Sequence, residues 1–437
     1  MLRLVQNWFA KSACPIGVDL GTDCLRMAQV QLVDNEFRLA AAASADVPSH
    51  VRTNTAAKLQ WFSEAARDLL GQGGFKGRQV VLGLPASMLL IQHLRLPKLD
   101  EETLTKTLPF EARGKLPVDP GACLLRHIVA GDIFADQEPR SEVILMAAAR
   151  EFVNQFLDAA ARARLDVTGV NVEPKALIDC FANVYRRKVD REQTSCYVDI
   201  GASATRAIIA RGEQVMFARS IPFGGDHLTR AVATAIGVPF EEAKLLRVQS
   251  AAQTPVDDHP PARPVETSPV DPSLALLPAN KDKVAEAPAR DPKSQQLEQA
   301  CLEPLGRLAA ELNLCRRYHE STFPNHPVHR LIFVGGEARQ RWLCQQVARQ
   351  MHLAAQVGDP MVRMSRTTEV GVESGLDRRQ PQPGWAVAIG LTMGPLRVSA
   401  GANDPPASVP TNQRTSTPDG ATAVARTGVA SAQRGAA

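Results

Sequence analysis

The sequence predicts an α/β protein in which two related domains face a shared cleft. An apolar strand, a tight turn and a second strand occupy residues 16–30, and residues 197–210 repeat this pattern without a gap. A third element, residues 331–337, is an apolar run that ends in a glycine pair and precedes a stretch with helical spacing. Two copies of one hairpin, each at the head of half the chain, predict a duplicated domain.

The first turn contains Asp19 and Gly21 and is followed directly by a strand. Walker and dinucleotide-binding loops place their phosphate at the N-terminus of a helix that begins at the glycines, so this turn fits neither class. A hairpin turn can instead present the N–H groups of Gly21, Thr22 and Asp23 to phosphate oxygens. Because any tight hairpin favours Asp and Gly, a purely structural turn is the preferred explanation of one copy alone.

The repeat favours the phosphate interpretation, since two equivalent turns would face one cleft. In the third element, Gly335 and Gly336 would let a flat base approach the backbone closely. The residues that align between the two hairpins are Val18, Asp19, Gly21 and Arg26 with Val198, Asp199, Gly201 and Arg206.

Apolar periodicity predicts the elements in order. A three-stranded meander over 16–45 is followed by a helix over 55–72, which Gly71 and Gly73 end, and by a buried strand over 80–84. Further predicted helices cover 101–115, 151–164, 241–249 and 297–318, and further strands cover 167–172 and 214–221.

Taken together, these elements resemble the phosphate-one, phosphate-two and adenosine signatures of the actin, sugar-kinase and Hsp70 ATPase superfamily. Within it, the chain resembles the PilM family of type IV pilus assembly proteins, which is related to FtsA. The resemblance implies duplicated actin-like (ribonuclease H-like) ATPase domains around a nucleotide cleft, with a small inserted α+β subdomain. The less distinctive stretches that also carry the resemblance to the PilM family are 80–86, 96–97, 110–112, 116–119, 223–229 and 386–391.

The resemblance also implies a site for ATP and Mg²⁺. Asp19 and Asp199 would hold Mg²⁺ mainly through waters, as a hard and strongly hydrated cation prefers. Amides after Gly21 and Gly201 would take the β- and γ-phosphates. The full predicted nucleotide-binding set is Asp19, Gly21, Thr22, Asp23, Asp199, Gly201, Ala202, Ser203, Gly224, Gly225, Lys244, Gly335, Gly336 and Glu337.

Glu173 is the candidate catalytic residue. It precedes Pro174 where a strand gives way to a helix, and proline suits the first helical turn. In ATPases of the superfamily a residue near this junction orients the attacking water. An acidic residue that favours the helix dipole is the alternative interpretation.

Two predicted ligand positions carry their own alternatives. Gly224 and Gly225 stand just before a helix, where a plain turn explains them nearly as well as a ligand does. Where relatives have Glu and, three residues later, Lys, this chain has Lys244 and Arg247. Lys cannot accept the hydrogen bonds that a ribose would offer to Glu, so this position puts tight nucleotide binding in question.

Composition limits the function classes. The 437 residues are 44% hydrophobic and 22% charged, as in soluble globular proteins, and a net charge of +4 without a dense basic run does not indicate nucleic-acid binding. The eight cysteines form no CxxC pair and no zinc spacing, so core positions in a reduced cytoplasmic setting are expected. Neither a signal peptide nor a membrane span is predicted.

The predicted organisation begins with a leader, which is either amphipathic and membrane-touching or packed on its own domain. Pro-rich residues 250–294 and the tail cannot bury enough apolar surface to fold and are predicted to be disordered. The ranges are leader 1–15, first actin-like domain 16–194 with its insert at 89–150, second domain 195–383, closing segment 384–397 and tail 398–437.

The predicted function is an ATP-binding cytoplasmic scaffold with slow or absent turnover, peripheral at the inner face of the inner membrane. Its implied partner is the N-terminal cytoplasmic peptide of a bitopic PilN-like membrane protein within a pilus assembly complex, lying in a groove near 89–150, so that membrane contact is indirect. A homo-oligomer is left open. The alternatives are a sugar or carboxylate kinase, for which no sugar-site cluster is found, and an FtsA- or MreB-like filament protein.

Overall fold

A computed structural model describes residues 13–34, 36–135, 137–253, 276–277, 292–365, 376 and 380–401. Most of the predicted leader and of the predicted disordered segments 250–294 and 398–437 therefore lies outside the described residues. Inside those two segments, helices cover 250–253 and 292–294, Leu276–Leu277 forms a strand, and the last helix continues to Gly401. The prediction of disorder is wrong for these residues.

The strands are β1 (Ile16–Leu20), β2 (Cys24–Val33), β3 (Glu36–Asp46), β4 (Gln79–Leu84), β5 (Leu90–Pro97), β6 (Cys123–Ala135), β7 (Glu138–Ala149), β8 (Asp166–Val172), β9 (Thr194–Ile200), β10 (Thr205–Arg211), β11 (Gln214–Ile221), β12 (Leu276–Leu277), β13 (Arg330–Val334) and β14 (Ala354–Val357). The helices are α1 (Thr55–Gln72), α2 (Glu101–Glu111), α3 (Arg150–Arg162), α4 (Glu173–Val184), α5 (Lys188–Glu192), α6 (Gly225–Ile236), α7 (Phe240–Gln253), α8 (Pro292–Thr322), α9 (Arg341–Met351) and α10 (Ala386–Gly401).

The first sheet has the strand order β3-β2-β1-β4-β8. Its central strand β1 is antiparallel to β2 and parallel to β4. All five residues of β1 are buried, as expected of a strand that is covered on both faces and therefore reads as a continuous apolar run.

The second sheet repeats this arrangement in the order β11-β10-β9-β13-β14-β12. Strand β9 takes the place of β1, because it is antiparallel to β10 and parallel to β13. In both sheets a three-stranded meander is therefore extended by parallel strands. The repeat seen in the sequence is a repeat of topology.

The third sheet is antiparallel, with the order β5-β7-β6. Helix α2 supplies Leu104 and Leu108 to a separate apolar cluster that also contains Leu94 and Leu145 from this sheet. The segment predicted as an insert is thus an α+β unit with its own core.

Helix α10 returns the chain to the first sheet, where it packs against β1 and α4. A Cβ atom at Gly390 would lie 1.8 Å from the carbonyl oxygen of Ala176. Only glycine therefore allows α10 to contact the backbone of α4 at this point.

Local sequence fixes the helix ends. The side chain of Asn54 accepts the N–H of Ala57 at the start of α1, and Asp100 accepts that of Thr103 at the start of α2, as N-cap residues do. Among the helices described above, none is both long and apolar enough to cross a bilayer. All eight cysteines are buried and unpaired, whereas the sequence predicted core positions for most of them.

Candidate functional site

The two hairpins have the same internal geometry. Asp19 lies opposite Arg26 across the first hairpin, and Asp199 lies opposite Arg206 across the second. In each hairpin the glycine N–H donates to the carbonyl three residues on, at 3.0 Å: Gly21 to Cys24 and Gly201 to Ala204. These two glycine N–H groups close the turns, so Gly21 is not the free donor that the sequence analysis expected.

The turns meet across a cleft. Thr22 Oγ1 and Ser203 Oγ, one from each turn, lie 2.7 Å apart. The cleft beside this contact has a volume of about 510 Å³, which is within the range of pockets that hold small-molecule ligands. The predicted site residues that line it are Asp19, Gly21, Thr22, Asp23, Glu173, Asp199, Gly201, Ala202, Ser203, Lys244, Gly335, Gly336 and Glu337.

Gly224 and Gly225 lie behind the cleft and do not line it. The N–H groups of Gly225 and Asp226, at the start of α6, donate to the carbonyls of Gly201 and Ala202 at 3.0 and 2.8 Å. A Cβ atom at Gly224 would lie 2.5 Å from both of those carbonyl oxygens. The glycine pair therefore lets the N-terminus of α6 contact the backbone of the second turn on the side away from the cleft.

This contact orients the amides of the second turn. In a trans peptide the N–H points away from the carbonyl of the same unit, so the N–H groups of Ala202 and Ser203 point away from α6. Both residues line the cleft. Within the described residues, no acceptor takes these two N–H groups or those of Thr22 and Asp23. Four backbone donors are thus available at the junction of the two turns, where an anion can bind.

Asp19 is a buried carboxylate in the cleft, with 8% exposure. Burial raises its pKa to about 6, against the opposing charge of Arg26. Neither Asp19 nor Arg26 has a hydrogen-bond or ion-pair partner within the described part of the chain. Both groups are therefore available to a ligand.

Lys58, on α1, adds a second cation. Its Nζ donates to the Gly21 carbonyl at 2.8 Å. Burial lowers the pKa of this ammonium to about 8, although Asp19 opposes the shift. A phosphate in the cleft would favour the charged form.

The second hairpin differs from the first in how its arginine is used. Arg206 Nη2 donates to Asp199 Oδ2 at 2.8 Å, and its Nε lies 2.9 Å from Glu173 Oε2. All three side chains are at most 13% exposed. The predicted catalytic carboxylate and the predicted metal-binding carboxylate thus share one guanidinium.

Charged side chains also bridge the two halves at the mouth of the cleft. Lys244 Nζ donates to Asp23 Oδ2 at 2.9 Å, and Arg52 pairs with Asp23 in its own half and with Asp226 in the other half, at 3.2 Å for the latter. Lys244 therefore faces the first turn and not an acceptor position for ribose.

The glycine-rich element packs closely on the second hairpin. Gly335 has φ +89°, and a Cβ atom there would lie 2.3 Å from Asp199 Oδ1. The Glu337 carboxylate accepts Arg247 Nη2 at 2.5 Å and Gln340 Nε2 at 3.0 Å. Arg247 also donates to Gly225 and Thr229, so it belongs to the wall behind the cleft.

Sequence reasoning did not name Lys58 or Arg339 as lining residues, and it aligned Arg26 with Arg206 without assigning either to the site. The register gave a usable signal for the two arginines, because each lies opposite an aspartate. For Lys58 no pattern was available, since its contact with the turn depends on how α1 packs.

The sequence profile of the type IV pilus assembly protein PilM matches residues 17–256, just over half of the 437 residues. The chain belongs to the PilM family. A profile of the cell division protein FtsA matches residues 196–390.

The fold of this PilM-family protein is similar to that in a structure of a PilM-PilN type IV pilus biogenesis complex, with a TM-score of 0.66 at 18% identity over 87% of this chain and 97% of that one. The ethanolamine utilization protein EutJ from Carboxydothermus hydrogenoformans gives a TM-score of 0.47 at 12% identity, over 87% and 89% of the two chains. Together with the repeated strand order, the first likeness confirms the predicted fold class of duplicated actin-like domains.

Proposed function

We propose that this PilM-family protein is an ATP-binding scaffold of type IV pilus assembly. The observation that carries the proposal is the meeting of two equivalent turns at a cleft of about 510 Å³. Between the turns lie four N–H groups that no acceptor among the described residues takes. Backbone donors and the cations Arg26 and Lys58 suit the oxygens of a polyphosphate. Thr22 and Ser203 would add hydroxyl groups.

The carboxylates of the cleft fit Mg²⁺ only in part. Asp19 offers a buried carboxylate without a partner among the described residues, which suits a hydrated hard cation. Asp199 does not fit in this arrangement, because Arg206 occupies it. Mg²⁺ bound with the nucleotide would neutralise phosphate charge, and Asp19 is the residue that would hold it.

The residues beside which the base and ribose would lie, together with Glu173, support ATP binding with slow or absent hydrolysis. Gly335 and Gly336 leave room for a base beside the second hairpin. Lys244 donates to Asp23 and so supplies no acceptor for a ribose hydroxyl. Glu173, the residue proposed to orient water, is paired with Arg206.

The proposed partner is the N-terminal cytoplasmic peptide of a PilN-like inner-membrane protein, bound beside the insert that contains the third sheet. Of the nine large apolar side chains that the described residues leave exposed, four lie in this insert: Phe110, Val118, Val129 and Phe134. Exposed apolar side chains of this kind suit contact with an apolar peptide. Through this contact the protein would lie in the cytoplasm, peripheral to the inner membrane.

A negative charge placed at the junction of the two turns tests the proposed ATP binding. Ser203→Glu puts a carboxylate at the junction of the turns, where it would repel a polyphosphate, and we expect the Kd for Mg-ATP to rise about 100-fold or more. Isothermal titration calorimetry measures this, with Ser321→Glu on the exposed face of α8 as the matched control. Unchanged ATP binding by Ser203→Glu would contradict the proposed position of the phosphates.

A second substitution tests the partner surface. Phe110→Ser removes a ring that is 67% exposed, and we expect the affinity for a PilN-type N-terminal peptide to fall about tenfold. Val189→Ser, at 65% exposure on α5, is the control. Equal anisotropy titrations for both variants would place the peptide elsewhere.

A further inference from the structure

Arg206 sets the second hairpin apart from the first. Both hairpins place an arginine opposite an aspartate in the same register. Only in the second does the guanidinium reach the carboxylate, with 2.8 Å between Arg206 Nη2 and Asp199 Oδ2, and it also reaches Glu173 Oε2 at 2.9 Å. Among the described residues the pair Asp19 and Arg26 has no equivalent contact.

One cation thus lies against two buried carboxyl groups. A guanidinium stays charged at every physiological pH and offers several donors in a fixed plane, which suits two acceptors at once. Mg²⁺ needs oxygen lone pairs, directly or through its waters. The oxygens of Asp199 and Glu173 that face Arg206 cannot serve a metal ion while the arginine holds them.

The same pairing acts on the candidate base, Glu173. Hydrolysis of ATP requires the oxygen of a water to bond to the γ-phosphorus while the bond to the β–γ bridging oxygen breaks and a proton passes from the water to a base. Burial raises the pKa of Glu173 to about 8, and the charge of Arg206 opposes that rise. The arginine therefore makes Glu173 a weaker proton acceptor than burial alone would make it.

We propose that Arg206 is a positioning residue that takes the place of the metal at Asp199 and Glu173, so that the protein holds nucleotide with little dependence on Mg²⁺ and does not hydrolyse it. The inference rests on the proposed ATP binding for its nucleotide part. Its metal part stands independently, because Mg²⁺ can be tested alone. Arg206→Ser would leave Asp19, Glu173 and Asp199 as three acidic groups lining one cleft.

The first test uses Mg²⁺ without nucleotide. We expect 5 to 10 mM MgCl₂ to raise the Tm of Arg206→Ser by about 2 °C or more, because a cation that binds only the folded form stabilises it, and to leave the wild type unchanged. Arg211→Ser, at the other end of β10, is the matched control and should behave as the wild type. An equal Mg²⁺ response in wild type and Arg206→Ser would overturn the inference.

The second test uses ATP with Mg²⁺ or with EDTA. The wild type should bind ATP with a Kd that changes by less than about threefold, whereas Arg206→Ser should bind at least about tenfold better with Mg²⁺. Phosphate release should rise about 100-fold in Arg206→Ser, the size of a general-base contribution, and adding Glu173→Gln should abolish the gain. A wild-type Kd that depends on Mg²⁺ as strongly as that of the variant contradicts the inference.

The outcomes separate the two proposals. Absence of ATP binding together with a Mg²⁺ response confined to Arg206→Ser would refute the proposed nucleotide site and support the role of Arg206. Should loss of the guanidinium prevent folding, Arg206→Lys replaces it with an ammonium that cannot span both carboxylates with a planar fork. A Mg²⁺ response of Arg206→Lys that lies between those of the wild type and Arg206→Ser would support the inference. Absence of any Mg²⁺ response in Arg206→Lys would overturn it.

Discussion

At the residue scale, Asp19 is a residue of the candidate site that lowers the stability of the folded protein. The carboxylate is buried without a partner among the described residues, and burial raises its pKa to about 6. At neutral pH the folded protein must therefore keep a charge where a neutral group would be more stable.

We predict that Asp19→Asn stabilises the ligand-free protein at pH 7 by on the order of 3 kcal/mol. The pKa is raised in the folded state, so the cost of ionisation is absent below the ordinary value of 3.8 and grows as pH rises to about 6. The gain in Tm should thus be present at pH 7 and vanish near pH 4. Thermal unfolding across pH measures it, with exposed Asp68→Asn as the control; a lower Tm for Asp19→Asn at pH 7 would contradict the account.

At this scale the sequence predicted the residues that lie in the repeat. Asp19 and Asp199 were found because the pattern occurs twice, and both line the cleft. The pairing of Arg206 with Glu173 joins β10 to the start of α4 and has no signature in spacing. Gly224 and Gly225 were assigned to the ligand, but they serve the packing of α6 on the second turn.

At the element scale, ion pairs join the two halves of the protein across the mouth of the cleft. Lys244 on α7 reaches Asp23 in the first turn, and Arg52 reaches Asp226 on α6. Since these contacts join opposite halves, they favour a closed cleft.

We predict that Lys244→Ala speeds nucleotide dissociation about two- to fivefold, the effect expected of a partly exposed ion pair. The side chains of Lys244 and Asp23 are 34% and 28% exposed, so the effect is modest and should shrink at high salt. Stopped-flow displacement of a fluorescent ATP analogue gives the rate. Lys106→Ala, which removes an exposed pair on α2, is the control, and slower release from Lys244→Ala would refute the bridging role.

Some helix and strand boundaries were predicted correctly and others were not. Helix α1 follows the predicted range 55–72. Helix α2 ends at Glu111, before the predicted Lys115, because Gly114 adopts φ +73° and the chain turns there. The Pro-rich composition of 250–294 gave no indication of the strand Leu276–Leu277. This short apolar pair is antiparallel to β14.

At the scale of the whole molecule, a buried polar cluster joins the insert to the second half. Glu142 on β7 has 0% exposure and accepts His93 at 2.9 Å and Tyr318, from α8, at 2.7 Å. The other ring nitrogen of His93 lies 3.1 Å from the Ala218 carbonyl on β11. The insert is therefore tied to the second sheet as well as to the first.

We predict that Glu142→Gln costs about 2 kcal/mol at pH 7 because it weakens charge-assisted hydrogen bonds. Burial alone would raise the pKa of Glu142, but the hydrogen bonds from His93 and Tyr318 bring it below its ordinary value of 4.5. Its contribution is thus present above pH 4.5 and is lost as pH falls through the lowered pKa. Urea unfolding at pH 7 and pH 3 tests this, with Glu138→Gln on the same strand as the control; an equal loss at both pH values would refute it.

The most direct test of the central claim is a crystal structure of the protein with a non-hydrolysable ATP analogue. The account predicts the phosphates at the junction of the two turns, within hydrogen-bond distance of the N–H groups of Ala202 and Ser203 and of Thr22 or Asp23. Analogue bound elsewhere on the molecule, with the space between the turns empty, would contradict it.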